Sequence, residues 1–423
     1  MTALLILTVL VLALLGAPIF ALMGAIALWL FHSAHISTTA VIIELYRLAD
    51  LPALIAIPLF TFAGYLLAES GAPRRLIRLA EALFAWLPGG VAIAALFACA
   101  LFTAFTGASG VTIIALGGLI YPLLRKQNYP EEFSLGLVTT TGSLGLLFPP
   151  SLPIILYALV AKVSLDRLFA ASALPGILLL VILAGYATLV AKRHRVARTP
   201  FFWREALHAL RAAAWEIPLP FLVIGGIYSG KFTASEAAAV MAFYALAVEV
   251  LITGDIRIRE LPGVMRRSML LVGAILLVLG TAMGLTNYLI DAEIPGKLFA
   301  VLSAHLHSRW AFLAALNVFL LVVNMVEIFS AIVIVVPLIV PVAVQYGIDP
   351  IHLGALFLLN LEIGYMTPPL GLNLFLASRR FEQGLPKLYR CVLPFWAVLL
   401  AALLLVTYIP RLSLWLPDAL RIP

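Results

Sequence analysis

Apolar runs close to the ~20 residues that cross a bilayer recur from one end of this chain to the other. They make the sequence 64% hydrophobic and only 11% charged over 423 residues, with a mean hydropathy of +1.12. A soluble globule is about 45–50% apolar and about 25% charged. No soluble fold hides this much apolar surface, so lipid is the expected solvent. No polar stretch is long enough for a second, soluble domain, and residues 1–423 read as a single integral membrane domain. The opening segment lacks a basic n-region and outruns the ~7–15 residues of a signal-peptide core, so it reads as a retained first helix.

Crossings are expected near 3–31, 51–69, 132–162, 172–191, 214–229, 236–253, 269–289, 350–376 and 391–409. Two further stretches, 90–124 and 310–344, each hold two arms of fewer than 20 residues around a polar or small-residue tip, "TGASG" at 106–110 and "NMVE" at 324–327. Arms this short suit re-entrant hairpins. With that topology, 19 of the 27 Lys and Arg residues fall on one side. By the positive-inside rule that side is cytoplasmic, which puts the N-terminus inside and the C-terminus outside. The same pattern accounts for the net charge of +7 without invoking nucleic acid.

The halves repeat, over about 51–191 and 269–409. Pro122, Gly145, Pro149, Pro150 and Pro175 recur at one offset of 219 as Pro341, Gly364, Pro368, Pro369 and Pro394. The first hairpin opens to the cytoplasm and the second to the outside. An inverted repeat is a transporter architecture, with the site where broken helices meet near the midplane. The fold class expected is therefore an all-α polytopic membrane protein with two re-entrant helical hairpins and two broken helices.

The breaks lie in "GSLGLLFPPSLPIILY" (142–157) and "EIGYMTPPLGLNLF" (362–375). Pro149–Pro150 and Pro368–Pro369 remove backbone donors and clash with the preceding turn, while Gly142, Gly145 and Gly364 permit the bends. A broken helix exposes carbonyls that suit Na⁺ and N–H groups that favour an anion; a plain kink is the alternative. At the first tip, Thr106, Ser109 and Thr112 offer hydroxyls beside Gly107 and Gly110, for a small cation, a carboxylate or simple helix capping. Ser143 sits in the first break. At the second tip stand Asn324, Met325 and Glu327, facing Asn360, Glu362 and Thr367. A carboxylate at membrane depth is expensive, so Glu327 and Glu362 bind a cation or proton, or hold the tip structurally.

"PRRLIRLAEALFAW" (73–86) reads as an interfacial helix on the cytoplasmic surface, with packing against a partner subunit as the competing use. Cys99 and Cys391 stand far apart in apolar segments and suggest neither a disulfide nor a metal site. "GASG" resembles the nucleophile loop of intramembrane serine proteases, but the candidate partners His305, His307 and His352 lie on the opposite side from the hairpin's mouth. There is no P-loop motif, and the chain is expected not to be an enzyme.

Eight ordered segments give the chain a family resemblance. They are "LLGAPIFALMG" (14–24), "LIAIPLFTFAGYLL" (54–67), "FTGASGVTIIALGGLIYPLL" (105–124), "GSLGLLFPPSLPIILYA" (142–158), "LFAASALPGILL" (168–179), "GKFTASEAAAV" (230–240), "IVIVVPLIVPVAVQYGIDPIHLG" (332–354) and "IGYMTPPLGLNLF" (363–375). Through them the sequence resembles, over nearly its whole length, the large permease subunit of tripartite ATP-independent periplasmic (TRAP) transporters, the DctM family.

The resemblance implies an elevator-type transporter of the bacterial inner membrane. It implies a DctQ-like small membrane subunit, a DctP-like periplasmic substrate-binding protein and Na⁺ as coupling ion, with no other cofactor. The implied cargo is a carboxylate such as a C4-dicarboxylate, keto acid or sugar acid. By motif, one Na⁺ site maps onto Ser109, Gly145, Phe148 and Pro150, and the other onto the 324–327 tip with Gly364 and Thr367. Two departures stand out: Ala108 lacks a hydroxyl where the family's first tip often has Ser, and "NMVEIFS" lacks the second tip's usual glycine. A stand-alone ion-coupled anion transporter or antiporter of related fold is the alternative expectation.

Overall fold

The computed structural model describes residues 8, 11, 12, 15–323, 328–369 and 371–422, and among them every regular element is a helix or helical turn; the side chains of residues 49, 52 and 53 are outside the description. The chain runs through α1 (Ile19–Ser33) and α2 (Thr39–Ala49). The crossing expected over 3–31 is interrupted. Gly16 turns the backbone at φ 82°, a conformation glycine adopts at little cost, and Pro18 precedes α1 as its N-cap.

α3 (Ala56–Glu69) leads into α4 (Ala72–Phe84), the helix expected to lie on the membrane surface. Its apolar side faces inward instead: Leu76, Ile77 and Ala80 are buried within this chain's own core. Its Arg75 is fixed by three carboxylates, Glu216 at 2.5 Å, Glu249 at 3.2 Å and Asp255 at 2.5 Å. One arginine thus ties α4 to distant parts of the sequence. Such a contact has no local sequence signature.

The first hairpin consists of α5 (Gly90–Thr106) and a returning arm built from Ser109–Thr112, a wide π-helical turn at Ile113–Gly117 and α6 (Gly118–Lys126). α7 (Glu131–Thr140), a 3₁₀ turn at Leu144–Leu147 and α8 (Leu152–Ala161) follow. The crossing expected over 132–162 is thus a broken one, bent by 45°. α9 (Leu165–Arg193) closes the half; its 29 residues span about 44 Å at 1.5 Å per residue. α10 (Trp203–Ala212), α11 (Pro218–Tyr228) and α12 (Ala234–Leu246) connect the halves. The 11 residues of α11 reach only about 16 Å, too short to be the full crossing expected at 214–229. α12 starts with a reciprocal cap between Thr233 and Glu236.

The second half runs α13 (Leu261–Asp291), α14 (Ile294–Ser303), α15 (Arg309–Val323), α16 (Ile328–Gln345), α17 (Pro350–Gly364), α18 (Leu372–Phe381), α19 (Leu385–Tyr408) and α20 (Arg411–Ala419). Gly90 and Arg309, and Glu131 and Pro350, start helices at the same separation of 219 seen in the prolines. Pro175 and Pro394 both lie inside long helices, α9 and α19. Five helices among the described residues are long and apolar enough to cross a membrane, six if the bent pair counts as one span.

Packing sorts the helices. α3 packs most extensively on α12, and α13 lies against α1, α2 and α3. α5, the first break, α9, α17, α19 and α20 form a second set of neighbours. The two sets meet where α3 touches α5 and where α16 touches α8 and α13. At the first of these contacts Gly64 of α3 lies against the backbone of Phe105 and Thr106, so closely that a Cβ would meet the Phe105 carbonyl oxygen.

Candidate functional site

The first tip turns on Gly107, whose φ of 63° caps α5 and whose missing side chain makes room for Leu152 of α8. The chain resumes as helix at Ser109, and a Cβ on Gly142 would lie 3.3 Å from the Ser109 carbonyl oxygen. Tip and break are therefore in contact. Thr103 completes the joint: its hydroxyl lies 2.7 Å from that of Thr112 and donates to the Gly142 carbonyl at 3.0 Å. Thr103 escaped the sequence reading because it sits inside the apolar run of α5, with nothing in the pattern to separate it from a core threonine. Gly145 lets the 3₁₀ turn sit directly on the backbone of Ala100 and Ala104. The Phe148 ring covers Gly176 of α9, and Pro149–Pro150 is a cis bond.

The second break mirrors this arrangement in part. α17 ends at Gly364, the Thr367 N–H returns to the Gly364 carbonyl at 3.1 Å, and Pro368–Pro369 is also cis. The Thr367 hydroxyl donates to the Ile363 carbonyl at 2.8 Å and accepts from the Trp396 indole at 3.1 Å, which leaves it one lone pair. Asn324, Met325 and Glu327, the tip expected to face this break, lie outside the described residues.

The two breaks touch each other. Asn373 of α18 donates to the Thr139 carbonyl at 3.2 Å and to the Ser143 hydroxyl at 3.0 Å, and Met366 receives the Thr140 hydroxyl at 3.6 Å. Asn373 was not singled out from the sequence; its place inside the quoted "GLNLF" segment was the one available signal. Further along α17, Asn360 donates to Asn317 of α15, which donates to Thr407 of α19, each at 2.9 Å. Glu362, two residues further along α17, is fully buried.

The hydrogen-bond ledger of the region is uneven. Of the nine buried side-chain polar atoms without a hydrogen-bond partner among the described residues, six are oxygens here: one each on Thr106, Ser151, Asn360 and Asn373, and both of Glu362. Native interiors leave few such atoms, so a concentration of them calls for an explanation. Unpartnered oxygens in a dry interior attract a hard cation. The residues of the first break fit that chemistry, since the Thr106 hydroxyl and the bent backbone lie together at the tip. Elsewhere, both cysteines are free and buried, and His352 of α17 is hydrogen-bonded to Ser413 rather than near Ser109.

Comparison with known proteins gives a consistent result. The family model for the DctM component of the tripartite ATP-independent periplasmic transporter matches residues 6–412. The C4-dicarboxylate TRAP transporter large permease of Pseudomonas aeruginosa is 38% identical over 94% of this chain and 93% of its own. The ectoine/5-hydroxyectoine TRAP large permease of Ruegeria pomeroyi is 30% identical, covering 99% of both. Among solved structures, the YdaH transporter of Alcanivorax borkumensis superposes with a TM-score of 0.64 over 88% of this chain and 87% of its own at 16% identity, which is a likeness of fold alone.

Proposed function

The chain belongs to the DctM family of TRAP transporter large permeases, a family of membrane carriers and not of enzymes, and from that premise we propose that it imports an organic acid by coupling to a Na⁺ gradient. A C4-dicarboxylate is the preferred cargo class, because the relative at 38% identity is named for that substrate while the one at 30% is named for ectoine. The carrier works with a small membrane subunit and a periplasmic binding protein that delivers the acid. It sits in the inner membrane with its N-terminus in the cytoplasm.

The observation that carries this reading is the contact of the first tip with the first break. There the buried Thr106 hydroxyl lacks a partner and the Ser109 carbonyl abuts Gly142. One Na⁺ travels as cargo at Ser109, Gly145, Phe148 and Pro150, and another at Gly364 and Thr367 with the second tip. α8 and α18 begin at Leu152 and Leu372, just after the two breaks, and their helix N-termini suit the carboxylate of the acid. The two halves act as an inverted repeat, and the hairpins and breaks move as a transport domain against α1, α3, α12 and α13.

Ser109→Ala tests the first site. It should raise the Na⁺ concentration for half-maximal uptake by about tenfold, corresponding to about 1.4 kcal/mol, while leaving assembly with the small subunit intact. An unchanged Na⁺ dependence would remove the Ser109 hydroxyl from the ion site. Uptake of the same acid by this chain without any binding protein would favour the stand-alone carrier.

A further inference from the structure

Arg75 of α4 stands among three carboxylates, and no second cation pairs with any of them among the described residues. Its shortest contacts, 2.5 Å each, go to Glu216 and Asp255. Asp255 also accepts the Gly71 N–H at 2.9 Å, at the start of α4. Glu249 lies in the π-helical turn Ala247–Ile252 that follows α12, a rare form often found at functional sites. Its two oxygens are further from the guanidinium, at 3.2 and 3.3 Å. Glu216 and Glu249 are buried, one Glu216 oxygen has no hydrogen-bond partner, and Asp255 reaches the surface. With all three acids ionised, three negative charges would face one positive charge. A buried carboxylate left without compensation takes up a proton instead.

The geometry singles out Glu249. It is the most deeply buried of the three and holds the longest contacts with Arg75. The Thr253 hydroxyl lies 3.1 Å from one of its oxygens and can give its own proton to the Val248 carbonyl at 3.2 Å, which leaves its oxygen free to accept from a protonated Glu249. The other titratable groups nearby are engaged or face water. The Tyr244 phenol of α12 donates to the Trp215 carbonyl at 3.0 Å, and Glu69 of α3 is paired with Arg267 of α13. Arg74 and Arg78 of α4, Arg211 of α10, and Arg257, Arg259 and Glu260 beyond the cluster are exposed. We infer that Glu249 carries a proton, and that this proton keeps α4 anchored to the end of α12. α4 joins α3, in one packed set of helices, to α5, in the other. Release of the proton to water past Asp255 adds a buried negative charge beside a guanidinium already engaged twice. The anchor then loosens, and the first hairpin loses its fixed entry. The inference rests on the carrier reading and adds to it an anchor controlled by pH.

Two measurements on the complex with its small subunit test this. Infrared difference spectra of the purified complex, recorded while the pH is raised, should show one buried carboxyl losing its proton, and Glu249→Gln should lack that band. In proteoliposomes with equal pH inside and out, acid uptake by the unmodified complex should fall about threefold or more between about pH 7 and about pH 9, while Glu249→Gln should stay nearly level. Glutamine resembles the protonated carboxyl, so the variant should assemble normally. A Glu249→Gln chain that fails to assemble would show that the cluster needs the charge, and overturns the inference. An unchanged infrared band overturns the proton on Glu249. Identical pH profiles for the two complexes overturn the anchor. Absence of any acid uptake by the unmodified complex is a different result: it defeats the carrier reading, while the infrared band still decides the proton.

Discussion

Gly145 leaves almost no room at the first break. A Cβ built there would lie 2.5 Å from the Thr103 side chain and would also run into the Ala100 carbonyl and the Ala104 nitrogen. The obstacles are mostly backbone, which cannot swing aside as the end of a side chain can. Gly145→Ala should therefore destabilise the complex by about 1–3 kcal/mol, the usual cost of overpacking, and should reduce uptake sharply. Thermal unfolding of the purified complex checks the first part and labelled-acid uptake the second; a variant with the parental melting temperature and full uptake would show that the break is looser than described. At this scale the sequence was informative where chemistry is conspicuous. The double prolines, the small-residue tip and Glu362 stand out against apolar surroundings, and the structure brings the first two into contact. Thr103, Asn317 and Asn373 did not stand out. Each acts through partners far away in sequence, Gly142, Thr407 and Ser143, and no local pattern marks such pairs.

Helix-level features were legible where proline, glycine and length decide them. The paired breaks follow from Pro149–Pro150 and Pro368–Pro369, and the hairpin turn from Gly107. Packing was not legible. Apolar periodicity in α4 shows that one face must be covered, but not whether lipid or protein covers it; the three carboxylates around Arg75 come from elsewhere in the chain. The same limit hid Gly64. Its α3 backbone lies against that of Phe105 and Thr106, at the contact between the two packed sets of helices. In the proposed mechanism that contact slides during each cycle. Gly64→Ala should force the Phe105–Thr106 backbone and α3 apart, lowering the melting temperature of the complex and cutting uptake at least tenfold. Full uptake by Gly64→Ala would mean that this contact neither slides nor limits the cycle.

For the molecule as a whole, composition alone identified the solvent. A chain that is 64% hydrophobic has to meet lipid on most of its outer surface, and exposed Leu, Ile, Val and Phe side chains are common on the described helices. The ordered motifs then identified the family, which the match over residues 6–412 bears out. The identity of the ion and of the acid depends on a few oxygens and on partner proteins, and neither has a compositional signature. The central claim is Na⁺-coupled, binding-protein-dependent import. Its most direct test is uptake of a panel of labelled carboxylates into proteoliposomes holding this chain and its small subunit, with and without the binding protein and an inward Na⁺ gradient. The account predicts accumulation of a C4-dicarboxylate only when both are present. Equal accumulation without Na⁺, or by the membrane chains alone, would contradict it.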